Sequence, residues 1–317
     1  MTGEPCVTTC ISIVTPSFNQ APFLPETIES VISQAGDFSI DYLIMDGGST
    51  DGSVEIIRQY AAALERGERE VYCRGISFRW VSEHDAGQTD ALTKGFRMAR
   101  GDILAWLNSD DFYLPGALQR VAEFFRGHSG AALVYGDARY CDAAGKDAGR
   151  YHAEPYDLMR LAAANIICQP AAFFRKSAFD AAGGLDPSLD FVMDLDLWIR
   201  IGRQGVCSYL PGELAVYRLH DCSKTIAVAT LSANAEEALN VVRRHVGWAP
   251  LTRVYTACSL RNPSRGGGFS LPALVCTLLR SLLLNRGLNR NDLRLLSRDN
   301  FRKLFRSRHE LMTGEKP

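Results

Sequence analysis

Along residues 10–225 the spacing of apolar side chains changes period repeatedly. Ile11 to Thr15 is a short β-branched run that stops at Pro16, the pattern of a buried strand. Residues 22–35 then place Phe23, Ile28, Val31 and Ile32 on one helical face. Tyr42 to Met45 predicts a second strand, ended by Asp46-Gly47-Gly48. Asp51 stands where an N-cap would open a helix bearing Val54, Ile57 and Tyr60. The alternation continues with a strand at Phe78–Val81, a helix over 88–100, a strand at Ile103–Leu107, a helix over 114–126 and a strand at Ala131–Tyr135. Strands separated by helices predict βαβ units and an α/β fold with a mostly parallel sheet.

In such sheets ligands bind beyond the carboxyl ends of the strands. That rule selects Ser17-Phe18-Asn19 after the first strand, Asp46 after the second, Glu83 and Asp85 after the third, and Asn108, Asp110 and Asp111 after the fourth. Beyond residue 140 the alternation weakens. Gln169-Pro170 precedes a strand at Ala171–Phe174, Asp194-x-Asp196 opens a helix through Trp198, and a last strand at Leu214–Leu219 runs into His220. From 226 the pattern is helical, and a Gly/Pro/Ser-rich joint at 261–270 precedes two terminal helices over 271–285 and 291–309. The expected division is a domain of residues 1–225 and a helical extension of residues 226–317.

Asn108-Ser109-Asp110-Asp111 directly after an apolar strand suits a divalent cation bound through oxygen, or equally a polar turn that starts the next helix. A hard cation with one or two protein carboxylates commonly shares a diphosphate, whose oxygens complete its shell. Asp196 suits a helix cap, which leaves Asp194, outside that helix, as a candidate general base. Trp198 suits a ligand-stacking face or the core, and Gln169 a ligand contact or a turn. His220 is a candidate ligand or a surface histidine.

Several blocks together resemble the family 2 glycosyltransferases. They are Ile11–Asn19, Ile44–Ser53, Ser82–Ala91, Gly101–Asp111, Met193–Trp198 and Tyr217–His220, in the family's order over about residues 10–225. The resemblance implies a GT-A fold and an inverting, metal-dependent transfer from a nucleotide-diphosphate sugar, UDP- or dTDP-linked, to a hydroxyl of a glycan or lipid-linked acceptor in cell-surface polysaccharide synthesis. It implies that Pro16, Ser17, Phe18, Asn19 and Asp46 embrace base and ribose, with Glu83 and Asp85 beside the nucleotide. Asp110 would be the ligand of Mn²⁺ or Mg²⁺, with Asp111 near the donor sugar or the metal. Asp194 would be the catalytic base, and His220 would approach the metal or the diphosphate. Gln169, Asp196 and Trp198 are the acceptor-side candidates.

Two departures stand out. Asn108 replaces the first Asp of Asp-X-Asp, and Met193 stands where Glu commonly precedes the base. The first motivates a rival reading, a catalytically silent nucleotide-sugar-binding protein. A nucleotidyltransferase is a more distant rival, because Pro16–Asn19 is not the Gly-rich, Arg/Lys-bearing phosphate loop that it would use.

Composition adds little until it is divided along the chain. The 317 residues carry 35 Lys+Arg against 36 Asp+Glu, so no global charge points to nucleic acid. Residues 253–317, however, hold 13 basic and 4 acidic side chains. Leu271–Leu284 followed by Arg294, Arg298, Arg302, Lys303 and Arg306 suits peripheral contact with an anionic bilayer, a helical cap or a dimer contact. Nine irregularly spaced cysteines without C-x-x-C favour a reducing compartment. The start MTGEPCVTTC has neither a basic segment nor an apolar run. The expected location is cytoplasmic, at the inner face of the membrane if the tail docks there.

Overall fold

β1 (Cys10–Ser17) and β2 (Ser39–Asp46) are buried on both faces along nearly their whole length, as strands covered by helices on two sides must be. The computed structural model describes residues 9–220, 223, 228–261 and 271–285. Between and after these two strands lie α1 (Leu24–Ile32), α2 (Ser53–Glu65), β3 (Gly75–Ser82), α3 (Gln88–Met98) and β4 (Ile103–Trp106). The chain continues through β5 (Phe112–Tyr113), α4 (Ala117–Gly127), β6 (Ala131–Asp142), β7 (Asp147–Tyr151), α5 (Leu158–Ala163) and β8 (Ala172–Arg175). It ends with α6 (Lys176–Ala181), α7 (Met193–Gly202), β9 (Val206–Leu219), α8 (Val228–Val246), α9 (Leu251–Arg261) and α10 (Leu271–Asn285).

The sheet order is β3-β2-β1-β4-β8-β6-β9-β5, with β7 paired to β6. β3, β2, β1 and β4 are parallel, so their carboxyl ends share one edge. β8 joins antiparallel to β4, and β5 antiparallel to β9. The fold is therefore α/β with helices flanking the sheet, as the apolar periodicity predicts, but the sheet is mixed where a mostly parallel one was expected. The strand at 131–135 extends to 142, and a hairpin partner, β7, adds to it. Its pattern (Asp-Ala-Gly-Arg-Tyr) is too polar to announce itself.

Two compact units divide the described chain. The first comprises residues up to 155, 167–190 and 200–218; the second comprises 156–166, 191–199 and 219 onward. In the first, Leu24, Ile28 and Val31 of α1 and Leu118, Val121 and Phe125 of α4 close over Ile11, Ile13, Ile40, Tyr42 and Ile103. Each large aliphatic side chain so buried contributes roughly 1.5–3 kcal/mol. On α3, Phe96 packs with Trp106, Phe174 and Phe179. In the second unit Leu239, Ala249, Val254 and Cys258 join α8 and α9 in their own core. The expected helix over 291–309, with its Arg294, Arg298, Arg302, Lys303 and Arg306, lies outside the described residues.

At the end of the strands opposite the carboxyl edge, a buried polar staple fixes register. Asp41, 2% exposed, accepts from Ser12 Oγ at 2.7 Å, from the Arg100 amide at 2.9 Å and from Arg79 at 2.6 Å. The Gly101 amide donates to Ser12 Oγ at 2.8 Å. That approach requires glycine, because a Cβ on residue 101 would sit 2.6 Å from the Cys10 carbonyl oxygen and 2.7 Å from the Ser12 nitrogen. Gly101→Ala is expected to lower stability by about 1–3 kcal/mol through this backbone overlap. Urea unfolding checks it as a lower midpoint at unchanged slope.

Candidate functional site

The parallel strand ends are stitched into one surface by main-chain bonds. The Gly47 amide donates to the Ser17 carbonyl at 2.8 Å, Glu83 to Asp46 at 3.0 Å and Leu107 to Val14 at 3.0 Å. Asp46, 2% exposed, accepts from the amides of Gly48 and Ser49 and from the hydroxyls of Ser49 and Ser82. Four donors replace the water that so buried a polar group has lost. Asn19 adopts a left-handed conformation, φ 53°, which asparagine tolerates. Its amide donates to Ser49 Oγ and its side-chain oxygen accepts from the Thr50 amide, so the loops after β1 and β2 hold each other.

Asp51 does not cap α2. Gly52, at φ 98°, takes that position, and Asp51 accepts from the amides of Ala21 and Ser53 instead. Pro16 and Ser17 are buried while Phe18 is 58% exposed. Ser17 Oγ is buried and has no hydrogen-bond partner among the described residues. Asp85 accepts from the Gly87 amide and leans over Gly47, where a Cβ would lie 2.7 Å from its Oδ2. Glu83 is exposed and paired with Lys94 at 2.8 Å.

The turn after β4 separates two carboxylates that are adjacent in sequence. Asp111 points inward at 1% exposure. Its Oδ1 accepts from the Arg218 amide at 2.9 Å and its Oδ2 from Asn108 Nδ2 at 3.3 Å. Burial, then the neighbouring Asp110 charge, pushes its carboxyl well above the usual range. This corrects the expectation that Asp111 faces donor or metal: its side chain is consumed in fastening the turn. Asp110 remains partly exposed.

Asn108 sits in a network of amides. Gln88 donates to its Oδ1 at 2.8 Å, and its Nδ2 also reaches Gln169 Oε1 at 3.2 Å. Gln169 in turn donates to the Trp106 carbonyl at 2.8 Å, so it braces the end of β4.

Arg218 was not singled out in the sequence, although it lies in the Tyr217–His220 block. It is 3% exposed, and its guanidinium donates to the carbonyls of Asp110, Asp142 and Ala143 and pairs with Glu26. It also lies over the rings of Phe23 and Phe112, at 5.0 and 5.4 Å. One strand thus supplies both the amide that holds Asp111 and the side chain that holds the Asp110 backbone. The only sequence signal was an arginine in a strand that reads as apolar.

In the second unit α7 begins at Met193, so Asp194 lies in its first turn and not outside it. Glu237 of α8 accepts from the amides of Phe191 and Val192 and fixes the entry to the helix. Asp194 keeps some exposure, yet dense surroundings push its carboxyl up to about 6. Asp196 is neither a cap nor an acceptor contact. It is fully buried, and Arg244 and His245 each reach its Oδ1 at 2.7 Å. Trp198 is also fully buried, which withdraws its ring from any acceptor. His220 is partly exposed, and its amide donates to Ser223 Oγ at 3.4 Å.

Among the described residues no three His, Cys, Asp or Glu side chains group as a metal cage. With Asp111 turned inward, Asp110 is the one carboxylate that the turn offers. This donor set fits a hard cation only if a second ligand, such as a diphosphate, shares it.

Arg218→Met keeps the apolar stem but leaves the carbonyls of Asp110, Asp142 and Ala143 and the Glu26 carboxylate without this donor. It is expected to cost on the order of 2–3 kcal/mol, read by urea unfolding, whereas Arg218→Lys recovers only part of this.

Residues 12–183 match the family described as Glycosyl transferase family 2. A PGL/p-HBAD biosynthesis glycosyltransferase of Mycobacterium bovis (strain BCG / Pasteur 1173P2) is 34% identical over 191 residues, covering 60% of this chain and 68% of that protein. Chondroitin synthase of Escherichia coli is 26% identical over 196 residues, 62% of this chain and 27% of that protein. Among solved structures, S. aureus TarS 1–349 in complex with UDP-GlcNAc aligns with a TM-score of 0.58 at 15% identity, over 94% of this chain and 91% of that one. Mannosyltransferase PcManGT from Pyrobaculum calidifontis, in complex with GDP-Man and Mn²⁺, aligns at 0.59 and 16% identity, over 98% and 86%. These two structures share the GT-A fold with this chain. The strand-end loops, the turn after β4 and the match across more than half of the sequence place this chain among the family 2 glycosyltransferases.

Proposed function

We propose that this glycosyltransferase moves a sugar, with inversion, from a UDP- or dTDP-linked donor to a hydroxyl of a glycan or lipid-linked acceptor in the making of cell-surface polysaccharide. The observation that carries the reading is the stitched edge of β1–β4, where Ser17 Oγ is left without a partner. A buried hydroxyl of that kind is what a ligand's polar group satisfies. The printed descriptions of the two structural neighbours, one with UDP-GlcNAc and one with GDP-Man and Mn²⁺, support a nucleotide-sugar donor.

In this reading Phe18 and Asn19 flank the base, and Asp46 shapes the turn that receives the ribose. Asp85, with Glu83 beside it, borders the nucleotide. Asp110, with His220 as the further candidate, would hold Mn²⁺ or Mg²⁺ together with the donor diphosphate; when bound, the cation neutralises charge on the leaving group. Asp194 accepts the proton of the acceptor hydroxyl as its oxygen bonds to the anomeric carbon and the glycosyl–phosphate bond breaks. Direct displacement inverts that carbon. A carboxyl lifted to about 6 is matched to a base working near neutrality.

One observation favours a second reading, donor binding without turnover. Asn108 stands in place of a carboxylate, and Gln88, Asp111 and Gln169 already engage its amide.

Calorimetric titration of UDP, dTDP and GDP, with and without Mn²⁺, tests the donor side. Metal-dependent binding of one nucleotide is expected, weakened at least about tenfold in Asp110→Ala. Folded protein that binds none of them overturns both readings.

On the acceptor side, Asp194→Asn is expected to lower kcat by about 10²–10⁴ while donor affinity holds. The rate constant kcat/KM should climb with pH to a plateau above about 6. Because the folded carboxyl titrates above its unfolded value, stability falls as pH rises through that interval. Asp194→Asn should therefore unfold at a higher temperature than the parent at pH 8, and no higher at pH 4. Turnover that survives the substitution removes Asp194 as the base.

A further inference from the structure

α10 is amphipathic in the wrong sense for a helix of a water-soluble body. The residues it turns toward the second unit's own core are mostly small or polar: Thr277, 2% exposed, Ser281, 1% exposed, and Cys276, with Leu284 the one leucine among the helix's described residues that packs there. Asn285 bonds both the amide and the carbonyl of Ala249, at 2.7 and 3.0 Å. Arg280 is clamped by both oxygens of Glu236. On the outside lie Val275, Leu278, Leu279, Leu282 and Leu283, exposed by 50, 44, 60, 42 and 81%. Their spacing of three, four, seven and eight residues draws one continuous stripe along the helix.

An ordinary surface helix buries its leucines and shows its polar side chains to water. Here small residues allow close helix packing inside and four leucines and a valine are left outside, the arrangement of a helix with an apolar medium on its outer side. The helix is too short and too interrupted to cross a bilayer, and none of the described helices qualifies as a span. A helix lying in the interfacial plane is the geometry that remains.

Charge selects between a bilayer and a second copy of the chain. Residues 286–317, which follow the stripe directly, hold nine Lys+Arg and four Asp+Glu. That excess of like charge opposes self-association of the chain. An anionic lipid surface attracts the same segment, at roughly 1 kcal/mol per basic side chain near the surface. We infer that α10 docks on an anionic membrane, with Val275, Leu278, Leu279, Leu282 and Leu283 in the acyl boundary. The inference stands whether or not the proposed donor chemistry holds, because neither the stripe nor the charge takes part in it.

Flotation of the full chain with vesicles of phosphatidylcholine alone, and with about one third phosphatidylglycerol, tests the proposal. Binding is expected only to the anionic vesicles and should weaken several-fold as salt is raised. Leu279→Glu combined with Leu283→Glu should reduce binding at least about tenfold while the circular dichroism and the thermal midpoint stay unchanged, since both side chains are exposed. A folded full chain that floats with neither vesicle overturns the proposal. So does a double variant that binds as well as the parent. A parent that is dimeric in solution, ignores vesicles and becomes monomeric in the double variant assigns the stripe to a second copy instead.

Discussion

A carboxyl group with almost no water around it must be held by donors, and the candidate site is organised by one such obligation. Asp111 finds its donors in the main chain of β9 and in Asn108. To satisfy it, the turn after β4 must lie against β9, and β5 pairs with β9 in the same place. Arg218 then closes the arrangement by taking the Asp110 carbonyl and the carbonyls at the end of β6. Asp110 keeps its exposure because Asp111 has given up its own. Two identical neighbours are divided into an anchor and a presented group.

The strand-end loops obey the same logic with different donors. Asp46 is surrounded by serine hydroxyls and amides, and its bonds shape the loop that faces Ser17 and Asn19. Buried carboxylates recur through the fold: Asp41 at the far end of the strands, Asp46 and Asp111 at the near end, and Asp196 in the second unit with Arg244 and His245. Each is an expensive group to bury, and each therefore fixes several backbone segments at once.

The apolar periods made the βαβ order legible, because Ile, Val and Leu at the spacing of strands and helices have one way to leave water. The loops that follow the parallel strands were legible for the same reason: once the strands are parallel, their ends are shared. What local pattern does not encode is which of two adjacent acids turns inward. Asp110 and Asp111 look alike in sequence, and the partner that separates them lies 107 residues away from Asp111. Arg218 was invisible on the same grounds, as was the burial of Asp196, whose helix begins at Met193, whereas the core was one of the two places that the pattern offered Trp198. The polar β7 paired through its backbone, with no apolar signature to betray it.

That long reach has a consequence for how the protein is made. A ribosome delivers β1 to β4 early, and their parallel sheet can gather its helices without waiting for the rest. The turn that carries Asp110 cannot be finished then, because the strand that fastens it is β9, whose residues emerge after about a hundred more have been added. A nascent or truncated chain that stops short of residue 206 would have much of the sheet and an open, unfastened turn. The final shape of that turn is thereby withheld until β9 is in place, and the last strand acts as a check on its own synthesis.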